Sequence, residues 1–204
     1  MNSKITEVIF LLDKSGSMHG LEESTIQGYE EFIDSQRKEE GTCLVTTCFF
    51  SDTLMTIHSH QDIHSIPPMK KEDYIPKGCT ALYDSIGYLI KDIDGYLEWI
   101  SEERSIIFAI ITDGLENASR KYDAKSIQSL ISQKKECEWK FLFLGSNFDI
   151  KTEAERIGLD EDDYVSYQNT EAGVRKNFKA IGRAIKAERM MGFIDTGWKE
   201  EIEK

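Results

Sequence analysis

The stretch Val8-Ile9-Phe10-Leu11-Leu12-Asp13-Lys14-Ser15-Gly16-Ser17 decides the fold, because an unbroken apolar run passes directly into a cluster of oxygen-bearing side chains. Apolar residues without alternation predict a strand buried on both faces, the kind found in the middle of a parallel sheet. Asp13 closes that strand. Asp13, Ser15 and Ser17 then occupy alternate positions, and Gly16 lets the backbone fold sharply between the last two, so all three side chains can point into one small space.

Outward from this stretch, strand-length apolar runs alternate with amphipathic stretches of helix length. Residues 21–38 carry Leu21, Ile26, Tyr29, Phe32 and Ile33 at helical spacing, with Gly41 as a stop. Residues 43–50 and 54–58 read as a hairpin across Ser51-Asp52-Thr53. Pro67, Pro68 and Pro76 predict an extended connection. A helix then follows, with Leu82, Ile86, Leu89, Ile90, Ile93 and Leu97 on one face. Residues 106–111 and 140–144 are further central strands, 124–133 and 149–157 helices, 164–167 a short last strand and 171–191 the last helix. The order predicts an α/β fold: an open, doubly wound, mostly parallel sheet with one antiparallel edge strand and helices on both faces. One domain is expected over residues 1–192, with a loosely attached tail over 193–204.

The charge narrows the function. Acidic residues number 37 against 25 basic ones, a formal charge of -12, which repels nucleic-acid phosphates and anionic membranes. The longest strongly apolar run, residues 106–111, is far short of the ~20 residues a spanning helix needs. The start, Met1 to Glu7, has no signal-peptide core, and Cys43, Cys48, Cys79 and Cys137 form no C-x-x-C pair and read as reduced thiols. The expectation is a cytoplasmic protein that binds neither nucleic acid nor membrane, with its oligomeric state left open.

In sheets of this kind ligands bind beyond the carboxyl ends of the strands. Three loops offer oxygens there: Asp13 to Ser17, Gly78-Cys79-Thr80 at the start of the second long helix, and Thr112-Asp113-Gly114 after a central strand. Two carboxylates and three hydroxyls suit a hard divalent cation, with magnesium first and calcium or manganese as alternatives; zinc would prefer histidine or cysteine. Such a set only balances the ion's charge, so it still attracts an incoming carboxylate.

D-K-S-G-S, G-C-T and T-D-G in this order resemble the metal-ion-dependent adhesion site of von Willebrand factor A domains, and the likeness covers nearly the whole chain. It implies that Ser15, Ser17 and Thr80 supply hydroxyl ligands and that Asp13 and Asp113 bind directly or through waters. It also implies a non-enzymatic binding module whose protein partner supplies an Asp or Glu carboxylate. The flanking A-L-Y-D-S and L-E-N-A-S look like small intracellular bacterial or phage members of the family. The alternative is a magnesium-dependent phosphoryl-transfer hydrolase with Asp13 as nucleophile. Against it, the position two residues on is Ser15 rather than a second acid, and no nucleotide-binding loop is present.

Other features have plainer readings. Thr80 alone reads as a helix N-cap. His58 and His60 read as a solvated strand edge, Cys79 as a small buried residue and Lys14 as outward-pointing. Glu116 and Asn117 read as a polar loop that could border the site, and Asp160 to Asp163 as a solvated acidic loop. Met190-Met191 is open between core packing and a partner surface.

Overall fold

The computed structural model describes residues 5–146 and 149–203. Residues 1–4, 147–148 and 204 lie outside the described residues, and with them the outer bounds of the expected domain and tail.

The apolar run Val8 to Leu12 lies in β1 (Ile5–Asp13). Val8, Phe10 and Leu12 enter one core and Ile9 and Leu11 the other, as a two-sided strand requires. Along the chain follow α1 (Glu22–Gln36), β2 (Cys43–Phe50), β3 (Leu54–Asp62), α2 (Leu82–Leu97), β4 (Arg104–Thr112), α3 (Ala124–Glu136), β5 (Lys140–Gly145), α4 (Ile150–Arg156), β6 (Tyr164–Ser166) and α5 (Glu171–Met191), then a short helix over Glu200–Glu203. The strands form one sheet in the order β3-β2-β1-β4-β5-β6. Each pair is parallel except β2 with β3, so the antiparallel strand lies at an edge as expected.

Helices α1 and α5 cover one face, where Phe10 meets Tyr29 and Phe32 edge-on at 5.6 and 4.8 Å. Such aromatic pairs add about 0.5–1.5 kcal/mol beyond the area they bury. Helices α2, α3 and α4 cover the other face through Leu82, Ile86, Ile127 and Ala154. The chain leaves β1 toward β2 and leaves β4 toward β5. Neighbouring crossovers therefore part between β1 and β4, and a crevice opens above their carboxyl ends.

Four expectations are corrected. Strand β3 runs on to Asp62, past the expected residue 58, through a bulge opposite Val45 and Thr47 where His60 takes φ 49°. His58 and His60 are consequently not a solvated edge. His58 is buried, while His60 stacks on Tyr96 with ring centroids 3.4 Å apart and its Nδ1 meets the carboxylate of Glu7. Glu7 is fully buried and takes Arg104 Nη1 at 2.7 Å as well. The expected loose tail is docked: Gly192 ends α5 at φ +79°, and the chain returns to bury Trp198 in the α1/α5 core, its Nε1 donating to the Asp162 carbonyl at 3.2 Å. Asp160 and Asp163 are likewise more than a solvated loop, since both hold Lys135 Nζ at 2.6 Å.

Candidate functional site

Asp13 ends β1 with both carboxylate oxygens engaged. Oδ1 accepts the Ser15 N–H at 2.7 Å, which folds the loop back on its own strand, and Oδ2 accepts the Thr112 hydroxyl at 2.6 Å from the end of β4. The Tyr74 hydroxyl donates to the Asp13 carbonyl and ties the proline-rich connection beneath the loop. Thr112 enters the sequence reading only as part of T-D-G, not as the partner of Asp13, and Tyr74 has no signal there. Their partners are 99 and 61 residues away, and only the fold brings them together.

The three loops converge. Ser15 Oγ and Ser17 Oγ lie 3.0 Å apart, and Ser17 Oγ donates to Asp113 Oδ1 at 2.5 Å. A β-carbon built on Gly114 would sit 3.3 Å from Thr80 Oγ1 and 3.6 Å from Ser17 Oγ, so both hydroxyls reach the same point above β4. All five predicted side chains are thus gathered at one edge of the sheet. Asp13, Ser15, Thr80 and Asp113 are buried, whereas Ser17 is exposed and marks the open side.

Thr80 is not the N-cap of the following helix. Ala81 holds that position without a side-chain hydrogen bond, which leaves the Thr80 hydroxyl free of capping. Its backbone is clamped instead by Asn117, whose Oδ1 accepts the Thr80 N–H at 2.9 Å and whose N–H donates to the Thr80 carbonyl at 3.0 Å. Glu116 accepts the Tyr83 N–H at 2.9 Å and fixes the first turn of α2 to the same loop. Glu116 and Asn117 therefore build the threonine loop rather than merely lie beside it. Asn169 Nδ2 reaches Asp113 Oδ2 at 3.2 Å from just before α5, a contact with no local sequence signal. Cys79, expected buried, is exposed, because its N–H is held by Asp52 at 3.1 Å with the side chain turned outward. Lys14 is half-buried rather than outward-pointing, its ammonium 5.5 Å from the Phe49 ring centroid. Burial, and then the neighbouring Lys77, hold its pKa below the usual lysine range.

Electrostatics give the site its chemistry. Burial pushes the Asp13 carboxyl up to about 6, against the pull of its Thr112 and Ser15 hydrogen bonds, and burial also raises Asp113. Neither carboxylate has a basic partner among the described residues. No group of three His, Cys, Asp or Glu side chains comes together as a metal cluster there either. The set is two carboxylates plus hydroxyls, and it fits a hard cation: buried carboxyls without a counter-charge are costly, and a divalent ion would supply that charge.

No protein-family model matches the sequence, and no curated protein matches it. The likeness is in structure. Proximal thread matrix protein 1 from the mussel byssus, with a zinc-occupied MIDAS motif, superposes with TM-score 0.62 at 17% identity, covering 90% of this chain and 46% of that one. The manganese-loaded TRAP protein of Plasmodium vivax gives TM-score 0.59 at 15% identity, covering 85% and 72%. A von Willebrand factor type A protein from Catenulispora acidiphila gives TM-score 0.62 at 18% identity, covering 92% and 43%. The chain spans less than half of the mussel and Catenulispora proteins. At these identities the likeness carries the fold: the expected doubly wound sheet is the one these proteins share. Among the described residues no helix is long and apolar enough to cross a membrane.

Proposed function

We propose that this chain, with the fold of von Willebrand factor A domains, is a divalent-cation-dependent protein-binding module and not an enzyme. The observation that carries the reading is the pair of buried carboxyls, Asp13 and Asp113, without a basic partner among the described residues and bridged by serine hydroxyls at an open sheet edge. Asp13, Ser15, Ser17, Thr80 and Asp113 would hold the ion, magnesium first and calcium or manganese as alternatives. When bound, the ion offers a Lewis-acidic position to an Asp or Glu carboxylate of a partner. The chain's own residues do the rest. Thr112 and the Ser15 N–H fix the rotamer of Asp13, Asn169 holds Asp113, and Asn117 sets the height of Thr80.

A nucleophilic Asp13 is the weaker reading, since both its oxygens already accept hydrogen bonds and the carboxylate is buried. We place the module in a cytosol, as an adaptor or assembly factor of the small bacterial or phage type, in keeping with four free cysteines. Thermal unfolding in magnesium and in chelator tests the ligand set. A ligand at a hundredfold its Kd stabilises by about 2.7 kcal/mol, and Asp13→Ala and Thr80→Ala should abolish that gain. A magnesium-dependent gain that survives both substitutions would refute the assignment. Turnover of a phosphate ester lost in Asp13→Asn would favour the hydrolase.

A further inference from the structure

Helix α5 is charged against the rest of the molecule. It carries six basic residues and two acidic ones in a chain of formal charge -12. Lys176, Lys179, Arg183 and Lys186 are exposed at a 3-4-3 spacing, and Met190 follows at the next step, 69% exposed. At 1.5 Å per residue the basic part of this stripe runs roughly 15 Å along one helix face. Val174, Phe178, Ile181 and Ile185 bury the opposite face, so packing does not call for the stripe. Local neutralisation does not account for it either. Lys186 pairs with Glu39 at 2.7 Å and Arg183 only approaches Glu200 at 3.8 Å, while Lys176 and Lys179 make no ion pair among the described residues.

A groove of about 480 Å³ runs beside the stripe between α1 and α5, with Lys179, Arg183 and Lys186 on one side and Glu31 and Glu39 on the other. Two glycines face each other's helices across it, for different reasons. A β-carbon on Gly28 would lie 2.4 Å from Phe178 Cδ2, so the packing demands glycine there. One on Gly182 would meet Phe32 Cδ2 and Ser35 Oγ at 3.6 Å, an ordinary contact. Nothing in the packing requires glycine at 182, where it weakens the helix relative to alanine. What it does is leave the groove deeper.

We propose that the α5 stripe and its groove form a second protein-binding surface, which takes an acidic, amphipathic peptide segment of a partner. The segment's carboxylates pair with Lys176, Lys179 and Arg183, and an apolar side chain enters the groove over Gly182. A narrow peptide can follow the stripe. A phosphate backbone or an anionic lipid surface is broader than the stripe and would also lie over Glu31 and Glu39, which repel it. The surface lies on a helix face and needs no ion, so it stands or falls separately from the sheet-edge site.

The test is an amide NMR titration of the full chain in chelator at low salt. The probes are a synthetic helical peptide of Glu and Leu, its Lys-for-Glu counterpart, a single-stranded oligonucleotide and phosphatidylserine vesicles. Only the acidic peptide should shift the amides of α1 and α5. Its affinity should fall about tenfold in Lys179→Glu/Arg183→Glu, whose positions are exposed and whose circular dichroism should match wild type, and also in Gly182→Leu. Absence of α5 shifts with that peptide, unchanged affinity in the double charge variant, or equal or tighter binding of the oligonucleotide or the vesicles would each overturn the proposal.

Discussion

A β-carbon built on Gly78 would lie 2.0 Å from Oδ2 of Asp52, and Gly78 itself takes φ +82°. The Asp52 turn also holds the residues on either side of Thr80, accepting the Cys79 N–H at 3.1 Å on its carboxylate and the Ala81 N–H at 2.9 Å on the Ser51 carbonyl. Thr80 is thus positioned by the β2–β3 hairpin. Gly78→Ala should cost about 2 kcal/mol through backbone strain and displaced packing. It should also remove most of the stabilisation by magnesium, although no proposed ligand is changed. Urea denaturation with magnesium and with chelator measures both, and an unaltered magnesium response would show that the hairpin does not place Thr80.

The buried Asp13 carboxyl predicts a pH signature in the ion-free protein. Its pKa is raised from 3.8 to about 6, so folding favours the protonated form. The stability it contributes is full below the unfolded value and is lost as pH rises through the folded value. Across that window wild type should lose about 3 kcal/mol relative to Asp13→Asn, which cannot ionise. Denaturation of both proteins in chelator, below and above the window, checks this. A constant difference between them would mean that Asp13 is not desolvated as described.

At the other end of the sheet, Glu7 is held by Arg104 and His60 with no exposure of its own. Glu7→Gln leaves the nearly buried Arg104 without its counter-charge and should cost about 3–5 kcal/mol. Glu7→Leu with Arg104→Met should recover much of that loss, because both charges leave together. A double variant as unstable as the single one would show that packing, and not charge, sets the cost.

Trp198→Ala should destabilise the domain by about 3–5 kcal/mol, the usual range for emptying a buried aromatic site. The midpoint of chemical denaturation reports it. A midpoint equal to that of wild type would restore the view of this segment as a loose tail.

The architecture was legible wherever a segment's own residues decide its environment. The unbroken apolar runs of β1, β4 and β5 permit only a strand buried on both sides, and α5 was readable to its bounds from Glu171 to Met191. The five oxygen side chains were legible because they cluster at or just past strand ends, or ahead of a helix. What escaped depends on distant partners. His60 looks like a polar edge residue until the bulge turns it under Tyr96 and onto Glu7. Trp198 in a polar segment gives no periodicity, and its burial follows from the turn at Gly192. Asn117 and Asn169 lie in ordinary loop sequence, and their task is set by backbone that arrives from elsewhere.

Strand β1 carries an acid near its beginning, Glu7, and another at its end, Asp13, both buried and on the face shared with Ile9 and Leu11. A slide of two residues would keep the inward side chains on their proper faces, but it would drive Glu7 into the slot of Ile9, away from Arg104, and pull Asp13 off Thr112. A uniformly greasy ribbon could settle in several alignments between its neighbours. This one is pinned at both tips, and the same charge that makes the rim chemically interesting also tells the central strand where to stop.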